Sequence, residues 1–172
     1  DSKLVARKRL ELLSGSGVDL DRFNPYLREE HSGPFRFLYA GRMLADKGLT
    51  ELIGAVNSIN ANDVQCNLWL SGFADVENVS SISRQQLQKW GELPGIHWLG
   101  ASDSMEKIYR AVDCVVLPSY REGMPRSLLE AGAMGLPVIA TNVPGCRNIV
   151  EDGFNGLLCE ARNSASLQRA MQ

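Results

Sequence analysis

Short apolar runs and stretches of helical periodicity alternate along this chain. The run "RFLYAGR", Arg36 to Arg42, is mostly apolar and closes on Gly, which predicts a strand. Behind it, Leu49, Leu52, Ile53, Val56 and Ile59 recur at helical spacing and predict an amphipathic helix. "CNLWLSG" (66–72) and "GIHWLG" (95–100) predict two further strands, separated by the polar helix "SISRQQLQKWGEL". A short helix "SMEKIYRA", opened by Ser104, follows. "DCVVLPS" (113–119) is almost continuously apolar, as expected of a strand buried on both faces. A helix across "PRSLLEA", a strand "PVIATN" (137–142) and a last short strand "GLLCE" (156–160) complete the pattern. Ser164 is expected to cap a final helix, and 24–34, polar with two prolines, to be a loop.

This alternation predicts an α/β fold: a three-layer, Rossmann-like domain on a parallel sheet with crossover helices. At 172 residues the whole chain, 1–172, is expected to form one domain. Ligands of such sheets sit beyond the carboxyl ends of the strands. That rule selects Gly41-Arg42, Gly72-Phe73, Gly100-Ala101, Ser119-Tyr120 and Thr141-Asn142 as the positions to inspect.

Composition narrows the function classes. A net charge of −2 gives no bulk attraction to nucleic acid, so no nucleic-acid partner is expected. The basic run "KLVARKR" reads as a solvated flank, with a membrane or acceptor contact as the alternative. No stretch approaches the roughly 20 apolar residues that span a bilayer. The four cysteines form no C-x-x-C pair, and the two histidines, His31 and His97, stand far apart; neither pattern supports a metal site. Cys66 and Cys114 lie in or beside apolar runs and read as core thiols, which fits a reducing, cytoplasmic setting. Trp69, Trp90 and Trp98 read as packing residues, and Asp103 as a helix cap. The chain opens on Asp rather than Met and is expected to be cut from something longer.

The chemistry concentrates at two places. Arg42 ends the first strand and Lys47 is expected to begin the next helix, so both reach over one strand-end crevice. Two cations there suit a diphosphate, the Arg as a planar fork and the Lys as a point charge; the competing reading is two solvated surface cations. The second place is "REGMPRSLLEA", where Glu122 and Glu130 stand eight positions apart around Gly-Met-Pro. Pro125 suits the first helical position. The amides of Arg126 and Ser127, with those of Gly123 and Met124, would then form an anion site at the helix start. Carboxylates accept hydrogen bonds, so Glu122 and Glu130 suit sugar hydroxyls on either side of the phosphates. The bland alternative is a solvated loop acid and a helix-surface acid. Phosphates with a sugar at each end describe a nucleotide sugar. The Rossmann glycine fingerprint, the P-loop and the G-x-S-x-G elbow are all absent.

"EGMPRSLLE" resembles the E-x7-E motif of family 4 retaining glycosyltransferases of the GT-B fold. The longer run from Leu117 to Leu158 is similar to the carboxyl-terminal, donor-binding domain of that family. "GSGVDLDRF" (15–23) resembles the segment that begins this domain, and "AGRMLADKGL" (40–49) its Gly-Arg and Lys-Gly phosphate-binding pair. The "GSGVD" and "YREGMPR" spellings look closest to the branch that builds capsules, O-antigens and lipid-linked oligosaccharides. The resemblance implies that Arg42 and Lys47 neutralise the diphosphate, that Glu122 touches the donor sugar, and that Glu130 holds the ribose. Gly41 belongs to the phosphate-binding pair, while Gly72, Gly100 and Ala101 would lie near base or ribose. Gly123, Met124, Arg126 and Ser127 would line phosphates and sugar. It implies UDP as the nucleotide, a lipid-linked or saccharide acceptor, no metal and no cofactor. The expected location is cytoplasmic, with a peripheral position at the inner membrane face as the further option for the whole enzyme. The resemblance further implies an amino-terminal acceptor domain that is expected to lie outside this sequence, so the fragment is expected to be inactive alone. Two other readings remain: an epimerase-like enzyme acting on UDP-sugars, and a non-enzymatic α/β module.

Overall fold

A computed structural model describes residues 17–62 and 65–172. The basic run near the start, and Gly15 and Ser16 of the "GSGVDLDRF" segment, lie outside the described residues. The strands are β1 (Phe35–Ala40), β2 (Cys66–Ser71), β3 (Ile96–Gly100), β4 (Cys114–Leu117), β5 (Val138–Thr141) and β6 (Gly156–Cys159). The helices are α1 (Leu49–Asn60), α2 (Arg84–Gly91), α3 (Met105–Arg110), α4 (Arg126–Ala133), α5 (Pro144–Arg147) and α6 (Ser164–Met171). All strand pairs are parallel, in the order β3-β2-β1-β4-β5-β6. The expected Rossmann-like α/β sheet is therefore present, and each predicted strand is found within a residue or two of its expected ends.

Strand order reverses between β1 and β4. The chain moves one way from β1 to β3 and returns to the other side of β1 through α3. Right-handed crossovers then place α1 and α2 on one face and α3, α4 and α5 on the other. The tight packing of α6 on α1 returns the chain to the first face. β4 and β5 are buried along their whole length, which explains the unbroken apolar run of β4. The α1 stripe of Leu49, Leu52, Ile53, Val56 and Ile59 is buried as its spacing predicts. Among the described residues no helix is long and apolar enough to cross a membrane.

Several local expectations are corrected. Lys47 does not open α1: it ends a 3-10 turn, Ala45–Lys47, and Gly48 separates it from the helix. Pro125 precedes the helix as its cap residue, and α4 starts at Arg126. Asn163, not Ser164, caps α6, accepting from the Ser166 amide at 2.9 Å. Asp103 is no cap either. Ser104 holds that position before α3, and its amide bonds the Ser102 hydroxyl at 3.1 Å. The loop 24–34 contains a 3-10 turn at Pro25–Leu27, and the short α5 was not foreseen. "PGCR" is too short to show a helical period.

All four cysteines are buried and free. Burial above all pushes the Cys114 thiol up to about 12, and Cys146 and Cys159 to about 11, from an ordinary 9.0. Folding thus favours the protonated thiols. That contribution is full below about pH 9 and is lost as the pH rises through the folded values. A thiol reagent at pH 8 is expected to label no cysteine in the native protein and all four in denaturant. Alkaline titration followed by circular dichroism should show stability falling above about pH 9.

Candidate functional site

A cleft of about 580 Å³ opens where strand order reverses, beyond the carboxyl ends of β1, β2 and β4. Backbone bonds extend the sheet past the strands and shape the floor. The Gly41 amide donates to the Ser71 carbonyl (3.0 Å), Met43 to Phe73 (3.1 Å) and Gly72 to Gly100 (2.8 Å). At Gly72, φ is 154° and any β-carbon would overlap the Gly41 carbonyl oxygen. Here glycine is required by the close approach of two strand ends. Tyr39, fully buried, donates its hydroxyl to the Arg42 carbonyl at 2.7 Å and braces the turn behind Gly41.

Gly41, Arg42, Lys47, Gly72, Ala101, Glu122, Arg126, Ser127 and Glu130 all line this one cleft. Gly100, Gly123 and Met124 do not. Gly100 acts through its carbonyl, which also accepts from Ser71 Oγ at 3.3 Å. The Glu122 and Gly123 carbonyls pack on Gly145 of α5. Phe73, one of the selected strand-end positions, lines the cleft too, and the sequence reading missed Tyr39, Ser71, Ser102 and Met105, which also line it. Ser71 and Ser102 adjoin the inspected strand ends, so a wider window would have found them. Met105 reaches in from α3, bonded to Ser71 Oγ at 3.3 Å, and nothing local marks it.

Each cation of the cleft meets a carboxylate. Lys47 Nζ lies 2.7 Å from Glu122 Oε1, with both side chains largely buried. Arg42 reaches Asp75 at 3.3 Å, and Arg126 reaches Glu130 at 3.3 Å, one helical turn apart. The last two pairs are open to solvent on the Arg side and contribute little stability. Asp75 is a further residue that the sequence reading overlooked. Glu130 is the one acid among the buried polar residues described. Beside it, the Tyr109 phenol donates to the Ser127 carbonyl at 3.2 Å. Burial first, then the Glu130 charge, push that phenol well above its ordinary range, which keeps it a donor. The amides of Arg126 and Ser127 open α4 with no partner among the described residues, so they are available to an anion.

The tryptophans are chiefly packing residues. Trp90 is in the core, and Trp69 lies against the Arg36 guanidinium at 5.2 Å. Trp98 donates to the Gly72 carbonyl at 3.1 Å and so braces the floor of the cleft from beneath.

A family model described as "Glycosyl transferases group 1" matches residues 34–172. The chain belongs to this family. Among curated proteins it is 28% identical over 174 residues to N,N'-diacetylbacillosaminyl-diphospho-undecaprenol alpha-1,3-N-acetylgalactosaminyltransferase of Campylobacter jejuni. That match covers 95% of the chain and 44% of the relative. It is 29% identical over 165 residues to the UDP-Gal:alpha-D-GlcNAc-diphosphoundecaprenol alpha-1,3-galactosyltransferase of Escherichia coli, covering 91% of the chain and 43% of the relative. Sucrose-phosphate synthase from Thermosynechococcus elongatus superposes with a TM-score of 0.78 at 28% identity, over 94% of the chain and 42% of that structure. The chain thus spans less than half the length of the relatives it matches.

Proposed function

We propose that this chain is the donor-binding half of a retaining glycosyltransferase that takes its sugar from a nucleoside diphosphate. The observation that carries the reading is the convergence of Arg42, Lys47 and the first amides of α4 with the buried Glu130 in one cleft at the strand-order reversal. In this reading the diphosphate lies between Arg42 and Lys47 and the start of α4, and Glu130 accepts from the ribose hydroxyls. Glu122, already beside Lys47, accepts from the donor sugar. As the sugar leaves, charge builds on the diphosphate, and the two cations and the helix start stabilise it without needing to reorganise. Positioning and electrostatics would supply the catalysis, and no side chain is asked to be a nucleophile. UDP as nucleotide is supported by the activity of the Escherichia coli relative, and a lipid-diphosphate acceptor by the activities of both bacterial relatives. The retaining outcome rests on the E-x7-E resemblance. In the whole enzyme a companion domain would hold the acceptor, and the expected site of action is the cytoplasmic side of the membrane.

Calorimetric titration with UDP, GDP and ADP tests the site. Binding of UDP is expected, weakened about tenfold, or ~1.4 kcal/mol, in both Glu130→Ala and Arg42→Ala. Absence of nucleotide binding by the folded chain counts against the reading, as does binding that neither substitution alters. Sugar transfer by this chain without a partner domain would overturn the proposal that it is only the donor half.

A further inference from the structure

Among the described residues one non-glycine residue has a positive φ: Arg162, at 60°, in the loop between β6 and α6. Such a conformation persists where its surroundings over-determine it, and it is a reason to ask what the residue does. The Arg162 guanidinium lies over the Tyr120 ring, 4.6 Å from the centroid. Tyr120 stands two residues before Glu122, yet it does not line the cleft. Its hydroxyl donates to Glu51 Oε1 on α1 at 2.7 Å. Its amide donates to the carbonyl of Asp46, the residue before Lys47, at 2.9 Å. The same α1 turn is held from the other side, where the Ser164 hydroxyl donates to the Glu51 carbonyl at 3.0 Å. Burial first, and then the Glu51 carboxylate, push the phenol up to about 12, so it remains a donor at any working pH.

Tyr120 therefore joins the two loops that carry the Lys47–Glu122 pair to the first turn of α1. It belongs to the loop that carries Glu122. Through its backbone it is tied to the loop that carries Lys47, and through its hydroxyl to the first turn of α1. Arg162 closes over its exposed face as a cation on an aromatic ring. We infer that Tyr120, clamped by Arg162 and Glu51, is a positioning residue that holds Glu122 against Lys47 before any ligand arrives. Its consequence for donor binding rests on the proposed function; its effect on the ion pair does not.

The test is made on the full chain labelled with 15N-lysine. Ammonium protons of a lysine held in a tight ion pair exchange slowly with water, and Glu122→Gln identifies the Lys47 signal by removing its protection. Tyr120→Phe keeps the ring under Arg162 but loses the Glu51 bond. Arg162→Gly keeps that bond, loses the stacked cation and suits the left-handed backbone. In both variants Lys47 proton exchange is expected to accelerate about tenfold, equal to ~1.4 kcal/mol, while the core amides stay protected. An unchanged Lys47 signal in both variants overturns the inference, even if the melting temperature falls, because a plain structural staple predicts that result. A wild-type protein without a protected Lys47 ammonium overturns it as well. Titration with UDP-galactose separates the two readings. Weaker binding in the variants links Tyr120 to the donor. No binding by the wild type, alongside the expected loss of Lys47 protection, refutes the donor site and leaves the role of Tyr120 standing.

Discussion

Lys47→Ala is expected to weaken UDP binding by about a hundredfold, or ~2.7 kcal/mol. Two effects act in the same direction. The first is the loss of a donor to the phosphates, since a hydrogen bond to a charged group contributes about 1.5–3 kcal/mol. The second concerns Glu122, which pairs with Lys47 at 2.7 Å and is itself largely buried. Without the ammonium its carboxylate faces the incoming diphosphate unpaired, and an uncompensated charge in such a place is costly. This second effect distinguishes Lys47 from Arg42, whose partner Asp75 is joined by a longer, more exposed contact. The double variant Lys47→Ala/Glu122→Ala should therefore bind UDP about tenfold better than Lys47→Ala alone, because the repulsion is gone. Calorimetry of the four proteins in this cycle measures both quantities. A double variant no better than the single would show that Glu122 does not face the phosphates.

Gly48→Ala is expected to destabilise the fold by roughly 3–5 kcal/mol. Gly48 holds φ at 70°, and a β-carbon there would overlap the Pro118 carbonyl oxygen. The left-handed conformation alone costs a non-glycine residue about 1–2 kcal/mol, and the overlap must then be relieved by moving backbone. Pro118 leads into Ser119 and Tyr120, so the movement would spread to the loop that carries Glu122. At about 2–4 °C per kcal/mol for a chain of this size, the melting temperature should fall by roughly 6–20 °C. A thermal scan of the variant decides it. A shift of no more than about 2 °C would show that the two loops can part at little cost.

The reach of the sequence reading differs from element to element. β4 and α1 were legible because their patterns are set by burial: one is wet on neither face, the other on half its circumference. The helix starts were less so. Pro125 suits both the cap and the first helical position by its fixed φ, and its extended ψ of 115° is what makes it the cap. Ser164 has the chemistry of a cap, but its hydroxyl goes to Glu51 on another helix and leaves the cap to Asn163. Arg42, Lys47, Glu122 and Glu130, which line the cleft, were legible as candidates because each sits near a strand end or a helix start, where local sequence carries the signal. Asp75 and Met105 were not, since they are marked only by what they meet across the fold, and Tyr120 was selected as a strand end while its contacts with Glu51 and Arg162 were not legible.

The sequence alone determined the order of strands and helices, the buried stripes and most of the segments that line the cleft, because these depend on periodicity, turn residues and charge within a few positions. It also carried the family, through "EGMPRSLLE" and the Gly-Arg and Lys-Gly pair. Only the tertiary structure decided that β1 and β4 lie side by side, which brings residues 75 positions apart into the contact of Lys47 with Glu122. Only it revealed that the cations of the cleft are already paired with acids, and that a strained Arg162 stacks on Tyr120. Those contacts follow from the crossing of chain segments in space, and no local pattern of residues encodes which distant side chain a given loop will face.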